Sequence, residues 1–559
     1  MTNMLEAIRN SRVFSWLAIF CQTIVCWWRQ GWFYGLGQWL KKQYASSTVR
    51  KIWLWLGDGP CHVQQTCYAR FMHWLRRIVE KIGCWLENSL LRKVFLGISR
   101  FWHWLCQYSA ILRLISRLSL RQWLLVALGL YLPIEFIVRD TLNLGLLSSV
   151  WEEAFILLGF GFVLWRRALK QTNALNRETP VDAWLLLFWA VGFLLMSLVS
   201  LDLSVAFAGY RIVVEYTLWF FLAVRLIEED KDFKILYVTF AAVIAILVFH
   251  GIYQYVIAVE IPDSWTTSTE SAVRTRVFSI TGSPNILGSM VVLMAPLWAA
   301  GIYYCRRTWV KVACFVMTCC CFMTLLFTFS RGAWLGMILT VVFFALFVDG
   351  RLIALMGAGM AAVLIFVPSI TSRLTFLMTE EYAVASAAGG RAMRWELGRY
   401  LLSLGDPWLG FGLGRYGGAV AMQNQVLDVT EYITGYYYMD NYYLKTMVEM
   451  GYLGLLFFLL LLGALVFFGF RAILRSDKPF HDLPGDPLVR GIDNKRILAV
   501  GLLAGMLGVL VHCMFENIFE EPYMTAYFWT MAAMLMYLGY FRRSSASPGG
   551  ISKADKAIK

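Results

Sequence analysis

Apolar runs of membrane-spanning length, separated by polar connections, follow one another from residue 123 to residue 541. A helix needs roughly 20 mostly apolar residues to cross the hydrocarbon core of a bilayer, which is about 30 Å thick. The pattern therefore predicts an all-α integral membrane protein with about 12 transmembrane helices. The predicted spans are 123–138, 150–165, 183–200, 208–227, 235–259, 284–304, 309–329, 333–348, 352–368, 441–470, 497–515 and 522–541.

Residues 1–122 follow a different pattern, in which aromatic and aliphatic stripes alternate with basic residues. Between Arg70 and Lys81, apolar positions share one side of a helix and bases occupy the other, which is typical of helices that lie in the plane of a membrane interface. We predict N-terminal amphipathic interfacial helices over 1–122, with a short span from Val13 to Trp28 as the alternative. A polytopic membrane domain over 123–541 and a cytoplasmic tail over 542–559 complete the predicted organisation.

The composition excludes a soluble protein of several domains. Hydrophobic residues make up 59% of the chain and charged residues 15%, and the mean hydropathy is +0.60. A soluble fold keeps about a quarter of its residues charged to cover its surface. The aromatic content of 16% fits a protein with much area at the membrane–water boundary, where amphipathic rings settle.

The net charge of +14 is concentrated in the N-terminal extension, where residues 1–122 hold 17 Lys and Arg against four Asp and Glu. We predict that this extension contacts an anionic membrane surface and that the protein binds no nucleic acid. When the N-terminus is placed in the cytoplasm, every connection predicted on the inner side carries Lys or Arg, as the positive-inside rule requires. The twelve-span topology therefore places both termini in the cytoplasm.

Two segments on the predicted outer side, 260–283 and 369–440, are too long to be simple turns, and we expect the second to form a large outer loop between spans 9 and 10. Outer connections are normally poor in arginine. Here they carry Arg274, Arg276, Arg331, Arg373, Arg391, Arg394, Arg399 and Arg415.

The planar guanidinium fork suits bidentate binding of phosphate, so these arginines predict a doubly anionic ligand at headgroup depth, such as a lipid pyrophosphate. Arg211 also lies near the outer end of the fourth predicted span, one turn before Glu215. For Arg373, Arg399 and Arg415 we favour simple pairing with nearby acids or lipid phosphates.

Short motifs surround the remaining arginines. Residues 276–285 read RVFSITGSPN, 329–336 read FSRGAWLG, 406–414 read DPWLGFGLG, and 440–444 read DNYYL, followed by EMGYLG at 449–454. In this order and on this topology, the motifs resemble those of the O-antigen ligase and Wzy-type O-antigen polymerase superfamily. The resemblance covers about 123–541.

The resemblance implies transfer of a glycan from an undecaprenyl-pyrophosphate-linked oligosaccharide to a glycan or lipid acceptor. It implies a site at the outer face of the bacterial cytoplasmic membrane that needs neither a metal nor another cofactor. By the same resemblance, Arg331 and one arginine of the outer loops match the family's phosphate ligands, and Arg276 and Arg391 are the candidates for the second. We add Arg394 and Arg211 to the predicted substrate-binding set.

One position departs from the family pattern, because Asp440-Asn441 stands where the ligases have a His-Asn pair before the tenth span. The ligase histidine is regarded as a base. Asp440 is therefore the candidate catalytic base if a dry site raises its pKa, and otherwise it orients the acceptor sugar. Asn441 and Tyr442 are predicted to bind substrate beside it. His512 and Glu516, four residues apart at the outer end of span eleven, are the fallback if Asp440 is inert.

Two other classes of function stay open. Relatives with similar motifs carry the label of bicarbonate transporters, so a small-anion transporter is the alternative. A transporter usually has inverted repeats and broken helices around a midplane site, whereas after residue 122 we find no convincing internal repeat and the unusual charges lie at one face. A scaffold for other surface-glycan proteins leaves the outer arginines unexplained.

Overall fold

The structure, a computed structural model of the chain, describes scattered residues before position 175 and nine continuous ranges: 67–87, 116–142, 145–169, 177–199, 202–262, 275–387, 390–424, 439–476 and 495–542. By its contacts the chain divides into two compact units, Met1–Pro60 and Cys61–Lys559. Every helix whose ends are described belongs to the second unit. The alternative span at Val13–Trp28 and most of the predicted tail lie outside the described residues.

The regular structure of the nine ranges is helical, and no strand is present in them. A π-helical turn, Phe136–Thr141, continues from α3. The helices that precede the long predicted loop are α1 (Cys67–Glu87), α2 (Leu120–Gly129), α3 (Tyr131–Glu135), α4 (Leu146–Ala168), α5 (Asp182–Val199), α6 (Leu203–Glu215), α7 (Leu218–Leu226), α8 (Asp230–Ile257), α9 (Pro284–Tyr304), α10 (Thr308–Phe327), α11 (Arg331–Phe347) and α12 (Arg351–Phe366).

The segment predicted as a loop contains helices of its own. They are α13 (Pro368–Thr375), a 3-10 turn (Phe376–Met378), α14 (Glu380–Ala387), α15 (Arg391–Leu404) and α16 (Ala419–Asn424). The chain then continues through α17 (Tyr442–Arg475), α18 (Lys495–His512), a 3-10 turn (Ile518–Glu520), α19 (Pro522–Met536) and a π-helical turn (Tyr537–Phe541).

Each of the twelve predicted spans coincides with a helix or a pair of helices. Within the described ranges, seven helices are long and apolar enough to cross a membrane, and the pair α2 and α3, bent by 80°, makes an eighth if it counts as one span. α11 and α12 are apolar but shorter. The chain is therefore a multi-pass membrane protein that is all-helical in the described ranges, while the total of twelve spans stays a prediction.

Three helices, α9, α18 and α19, form the centre of the second unit. In α9 and α18, 78% of the apolar window is buried inside the protein, and the residues of α19 are buried throughout. α11 packs against α18 so closely that a Cβ at Gly336 would lie 2.5 Å from the carbonyl oxygen of Gly508. Small residues let membrane helices approach in this way. The contact holds the start of α11 beside the end of α18.

The glycine-rich motifs at 406–414 and 449–454 form one backbone junction. α17 is kinked at Gly451, where φ is +66°, a conformation that favours glycine because it has no Cβ. The loop 407–412 enters the break. There the Phe411 amide donates to the carbonyl of Val448 at 2.7 Å, and Gly451 lies against the backbone of Trp408. The predicted outer loop, 369–440, is thereby bound to the first part of α17; we call it the outer segment.

The amphipathic pattern that begins at Arg70 forms part of α1, and this helix packs against α4. Met72 and Val79 are buried in the contact, whereas Phe71 and Trp74 are more than half exposed. The apolar side predicted from the sequence is thus divided between a face that meets protein and a face that does not.

Two polar contacts also fasten α1 to the neighbouring helices. The Arg225 guanidinium donates to the hydroxyl of Tyr68 at 3.0 Å, and Arg167 forms an ion pair with Glu80. Arg167 and Arg225 are both buried. This part of the extension therefore packs on the same helices that carry predicted spans, and a domain boundary at residue 122 stays a prediction.

Candidate functional site

The last residue of α18 and the turn that follows it, residues 512–516, lie where the arginine motifs meet. We call this stretch the 512–516 turn. It receives side chains or backbone groups from α9, from the start of α11, from α15 and from the start of α17. The contacting residues are Asn285, Ser289, Ser330, Gly332, Arg391 and Tyr442. The fold therefore brings the motifs of the sequence together on this turn.

Arg276 reaches the 512–516 turn through one intermediate residue. Its Nε donates to the carbonyl of Thr328 at 3.0 Å, and its Nη2 donates to the amide oxygen of Asn285 at 3.3 Å. The amide nitrogen of Asn285 in turn donates to the carboxylate of Glu516. Arg276 is 7% exposed, so its guanidinium is held at a fixed place beside the FSRG motif.

Arg331 is the first residue of α11, and the next residue, Gly332, lies beside His512. A Cβ at Gly332 would stand 2.7 Å from Cδ2 of His512, so only glycine allows this approach. Ser330 Oγ lies 3.5 Å from Nε2 of His512, and Ser289 Oγ lies 2.7 Å from Nδ1. The imidazole ring is therefore clamped between two hydroxyl groups.

Arg391 and Asp440 form an ion pair on the other side of the 512–516 turn. Arg391 Nε donates to one carboxylate oxygen of Asp440 at 2.7 Å, and its Nη2 donates to the carbonyl of Phe515 at 3.0 Å. The second carboxylate oxygen of Asp440 accepts a hydrogen bond from the Trp395 indole at 3.0 Å. Asp440 is buried, and both of its oxygen atoms are engaged by α15.

The backbone is strained next to two of the arginines. Ser279 and Phe329 both have φ of +52°, and residues other than glycine pay of order 1–3 kcal/mol for such a conformation. The Gln254 side chain supports the first turn, because its oxygen accepts from the amides of Phe278 and Ser279 at 3.0 and 2.7 Å. Strain of this kind concentrates at ligand-binding sites.

The electrostatics of the site favour an anion. Arg331 and Arg391 are the first residues of α11 and α15, and Asn285 is the second residue of α9. The N-terminus of a helix carries a partial positive charge and unpaired amide groups. The two guanidinium groups add positive charge at those ends, and the Asp440 carboxylate pairs with that of Arg391.

Glu516 is a second buried acid of the site, and it lies near Arg391 and Asp440. Burial raises the pKa of its carboxyl group, Arg391 lowers it, and Asp440 raises it again, with a net upward shift. A glutamate with a raised pKa is suited to accept and return a proton near neutral pH.

The other predicted site residues have contacts that fix the backbone. The Asn441 side chain accepts from the amide of Leu444 at 3.0 Å and caps α17. The Tyr442 ring packs between Phe458 and Phe519, and the carbonyl of Arg394 accepts from the Tyr416 hydroxyl at 2.7 Å.

Arg211 lies in a second cluster, where it pairs with Glu215 at 2.7 Å and with Glu153. The same cluster includes Glu152, which accepts a hydrogen bond from the Tyr216 hydroxyl at 2.9 Å. The acids of α4 were not singled out in the sequence. They account for the charge of Arg211 without a phosphate ligand.

Several residues near the site carry no clear signal in the sequence. Gln254 is a single amide in an apolar span, and Tyr382 is one of many aromatic residues. Ser289 had a usable signal, since it lies one helical turn after Asn285 and both are polar residues in an apolar run. In the described ranges, no group of three or more His, Cys, Asp or Glu is arranged to hold a metal ion.

A comparison with protein-family models gives one match, to the family described as O-Antigen ligase, over residues 312–459. The matched region contains Arg331, Arg391 and Asp440, while Arg276 and the 512–516 turn lie outside it. No curated protein matches the chain, and nothing in the comparisons supports an anion transporter. The family match confirms the resemblance drawn from the motifs, in that residues 312–459 of this chain are similar to the O-antigen ligase family.

Proposed function

We propose that this protein transfers a glycan from undecaprenyl pyrophosphate to an acceptor hydroxyl at the outer face of the bacterial cytoplasmic membrane, as a surface-polysaccharide polymerase or ligase. The observation that carries the proposal is the convergence of three separate arginine segments on the 512–516 turn. Arg276 reaches it through Asn285, Arg391 bonds to it directly, and Arg331 begins the helix that packs against His512.

A lipid pyrophosphate fits this arrangement because its charge matches the site. Two phosphates need several donors in fixed directions, and arginine forks together with helix N-termini supply them. As the glycan leaves, negative charge develops on the departing pyrophosphate. Donors that are already in place stabilise that charge without reorganisation, which is commonly the largest catalytic contribution.

The proposed reaction is a single displacement at the anomeric carbon. A bond forms between this carbon and the acceptor oxygen while the bond to the pyrophosphate oxygen breaks, so the configuration inverts. The acceptor hydroxyl releases its proton to a carboxylate of the protein, and undecaprenyl pyrophosphate leaves as the anion. In this scheme the guanidinium groups and the helix N-termini together stabilise the charge of the leaving group.

We assign the proton acceptor to Glu516 and the role of an anchor to Asp440. Both oxygen atoms of Asp440 accept hydrogen bonds, one from Arg391 and one from Trp395, so this carboxylate is suited to hold Arg391 in place. Glu516 accepts hydrogen bonds from the Asn285 side chain and from the backbone of Asn517. It has no ion-pair partner among the described contacts that fixes both oxygen atoms, and its pKa is raised. The sequence favours Asp440 as the base, with the pair His512 and Glu516 as the fallback.

We further propose that α1 contacts the anionic inner surface of the membrane. Its exposed positions combine Phe71 and Trp74 with the bases Arg70, Arg77 and Lys81. Aromatic and basic residues side by side are typical of helices that lie on acidic lipids. This arrangement is consistent with the predicted orientation, in which both termini are cytoplasmic.

The proposal is tested with the purified protein in liposomes that contain an undecaprenyl-pyrophosphate-linked oligosaccharide, with products resolved on a gel. We expect a ladder or a transferred product from the wild type. Arg276→Ala and Arg331→Ala each remove a donor, which costs about 10²–10³-fold in rate at comparable sites. Arg399→Ala is the matched control, because Arg399 is exposed on α15. Wild-type rates in both Arg276→Ala and Arg331→Ala would contradict the proposal that these arginines bind the pyrophosphate.

A further inference from the structure

The Arg331 guanidinium lies over the aromatic ring of Tyr382, with its central carbon 5.5 Å from the ring centroid. Tyr382 belongs to α14, in the segment predicted as the outer loop, and Arg331 begins α11. The contact therefore joins the outer segment to the arginine of the FSRG motif.

The protein fixes each partner of this contact independently of the other. The Tyr382 amide donates to the hydroxyl of Thr379 at 3.3 Å, and the Tyr382 ring meets Phe376 edge to face at 5.7 Å. On the other side, the close approach of Gly332 to His512 fixes the backbone from which Arg331 extends. The ring is thus in place before a ligand arrives.

A cation–π contact holds a guanidinium over the face of an aromatic ring and forms no hydrogen bond to its N–H groups. The contact therefore orients the guanidinium without competing with a phosphate for those groups.

We propose that Tyr382 is a positioning residue for Arg331, an aromatic platform that aims its donors at the pyrophosphate of the lipid donor. The inference rests on the proposed function. It makes α14 part of the donor site and identifies the aromatic ring of Tyr382, rather than its hydroxyl, as the active feature.

A series of substitutions at Tyr382 separates the ring from the hydroxyl and from side-chain size. We expect Tyr382→Phe to keep the wild-type kcat/KM for the lipid donor and Tyr382→Trp to match or exceed it, because indole is the stronger partner for a cation. Tyr382→Leu and Tyr382→Met fill the space without a ring, and we expect a loss of about two- to fivefold. Tyr400→Leu is the matched control, since Tyr400 is exposed on α15 of the same segment.

A double-mutant cycle identifies Arg331 as the residue through which Tyr382 acts. The readout is binding of undecaprenyl pyrophosphate to the full-length protein in liposomes, which needs no turnover. We expect Tyr382→Leu to weaken binding in the wild type and to have no further effect in Arg331→Gln. If the two substitutions reduced binding additively, or if Tyr382→Leu bound undecaprenyl pyrophosphate as tightly as the wild type, Tyr382 would not be a positioning residue for Arg331. Wild-type binding and activity in Arg331→Gln alone would instead overturn the proposed function.

Discussion

Arg391 donates a hydrogen bond from Nε to a carboxylate oxygen of Asp440 at 2.7 Å, and this ion pair joins the first residue of α15 to the residue before the cap of α17. Arg391 then extends to the carbonyl of Phe515. The pair therefore connects the outer segment, the kinked helix and the 512–516 turn. A carboxylate placed in this way orients an arginine, and its loss displaces the donor without removing it.

Asp440→Asn is expected to weaken the reaction without abolishing it. A hydrogen bond to a charged group contributes about 1.5–3 kcal/mol, so we expect kcat/KM for the lipid donor to fall by roughly 10- to 100-fold. The acidic limb of the pH profile should remain but move to lower pH, because Asp440 no longer raises the pKa of Glu516. A complete loss of turnover with unchanged donor binding would instead return the role of base to Asp440.

Glu516→Gln is expected to remove turnover while donor binding persists, since a neutral amide cannot take the acceptor's proton. Positioned bases contribute about 10²–10⁴-fold. The raised pKa of Glu516 also predicts the sign of the pH effect. The ionised form is the base, so kcat/KM should fall as the pH decreases through a pKa above the ordinary glutamate range.

Measurement of kcat/KM against pH in the liposome assay checks this assignment. In Glu516→Gln the residual rate should lose the acidic limb of the profile, whereas Asp440→Asn should keep it. If the acidic limb persisted in Glu516→Gln, the proton acceptor would be another group.

The membrane helices could be predicted because hydropathy is a local property of the sequence. Each predicted span has a helix, and the span at 284–304 coincides with α9. Breaks inside the helices were missed, since they depend on distant backbone. Gly451 looks like any other glycine until the loop at 407–412 enters the kink.

The site could be predicted only in part. Arg276, Arg331 and Arg391 stood out because they violate a rule about the sides of a membrane, and the fold gathers all three segments. Arg211 violates the same rule, but it forms an ion pair with Glu153, which lies on a different helix. Its other partner, Glu215, could be predicted from the four-residue spacing, whereas a partner on another helix is a long-range contact that the spacing does not contain.

The packing of α1 on α4 gives a prediction about the extension. A side chain at Gly83 would collide with the backbone of Ala168, so Gly83→Leu should push α1 away from α4. Overpacking costs about 1–3 kcal/mol, and the buried Arg167 and Arg225 lose their partners on α1 as well. We expect a lower thermal unfolding midpoint in detergent.

Gly97→Leu is the control for that experiment, because nothing lies within 4 Å of a Cβ at position 97. It places the same leucine side chain in the same N-terminal extension and should leave the thermal unfolding midpoint unchanged. Equal midpoints for Gly83→Leu and Gly97→Leu would mean that α1 does not contribute to the stability of the membrane helices.

Gln254 supports the strained turn that follows Arg276, and its substitution tests whether this strain serves the reaction. In Gln254→Leu the amides of Phe278 and Ser279 lose their acceptor, and a buried polar group without a partner costs about 1–3 kcal/mol. The turn should relax from the positive φ of Ser279, which shifts Arg276. Gln254→Glu keeps an oxygen that accepts from both amides and should retain more activity than Gln254→Leu at equal expression. We expect kcat/KM for the lipid donor to follow this order, and a stable Gln254→Leu protein with the wild-type value would show that the turn does not position Arg276.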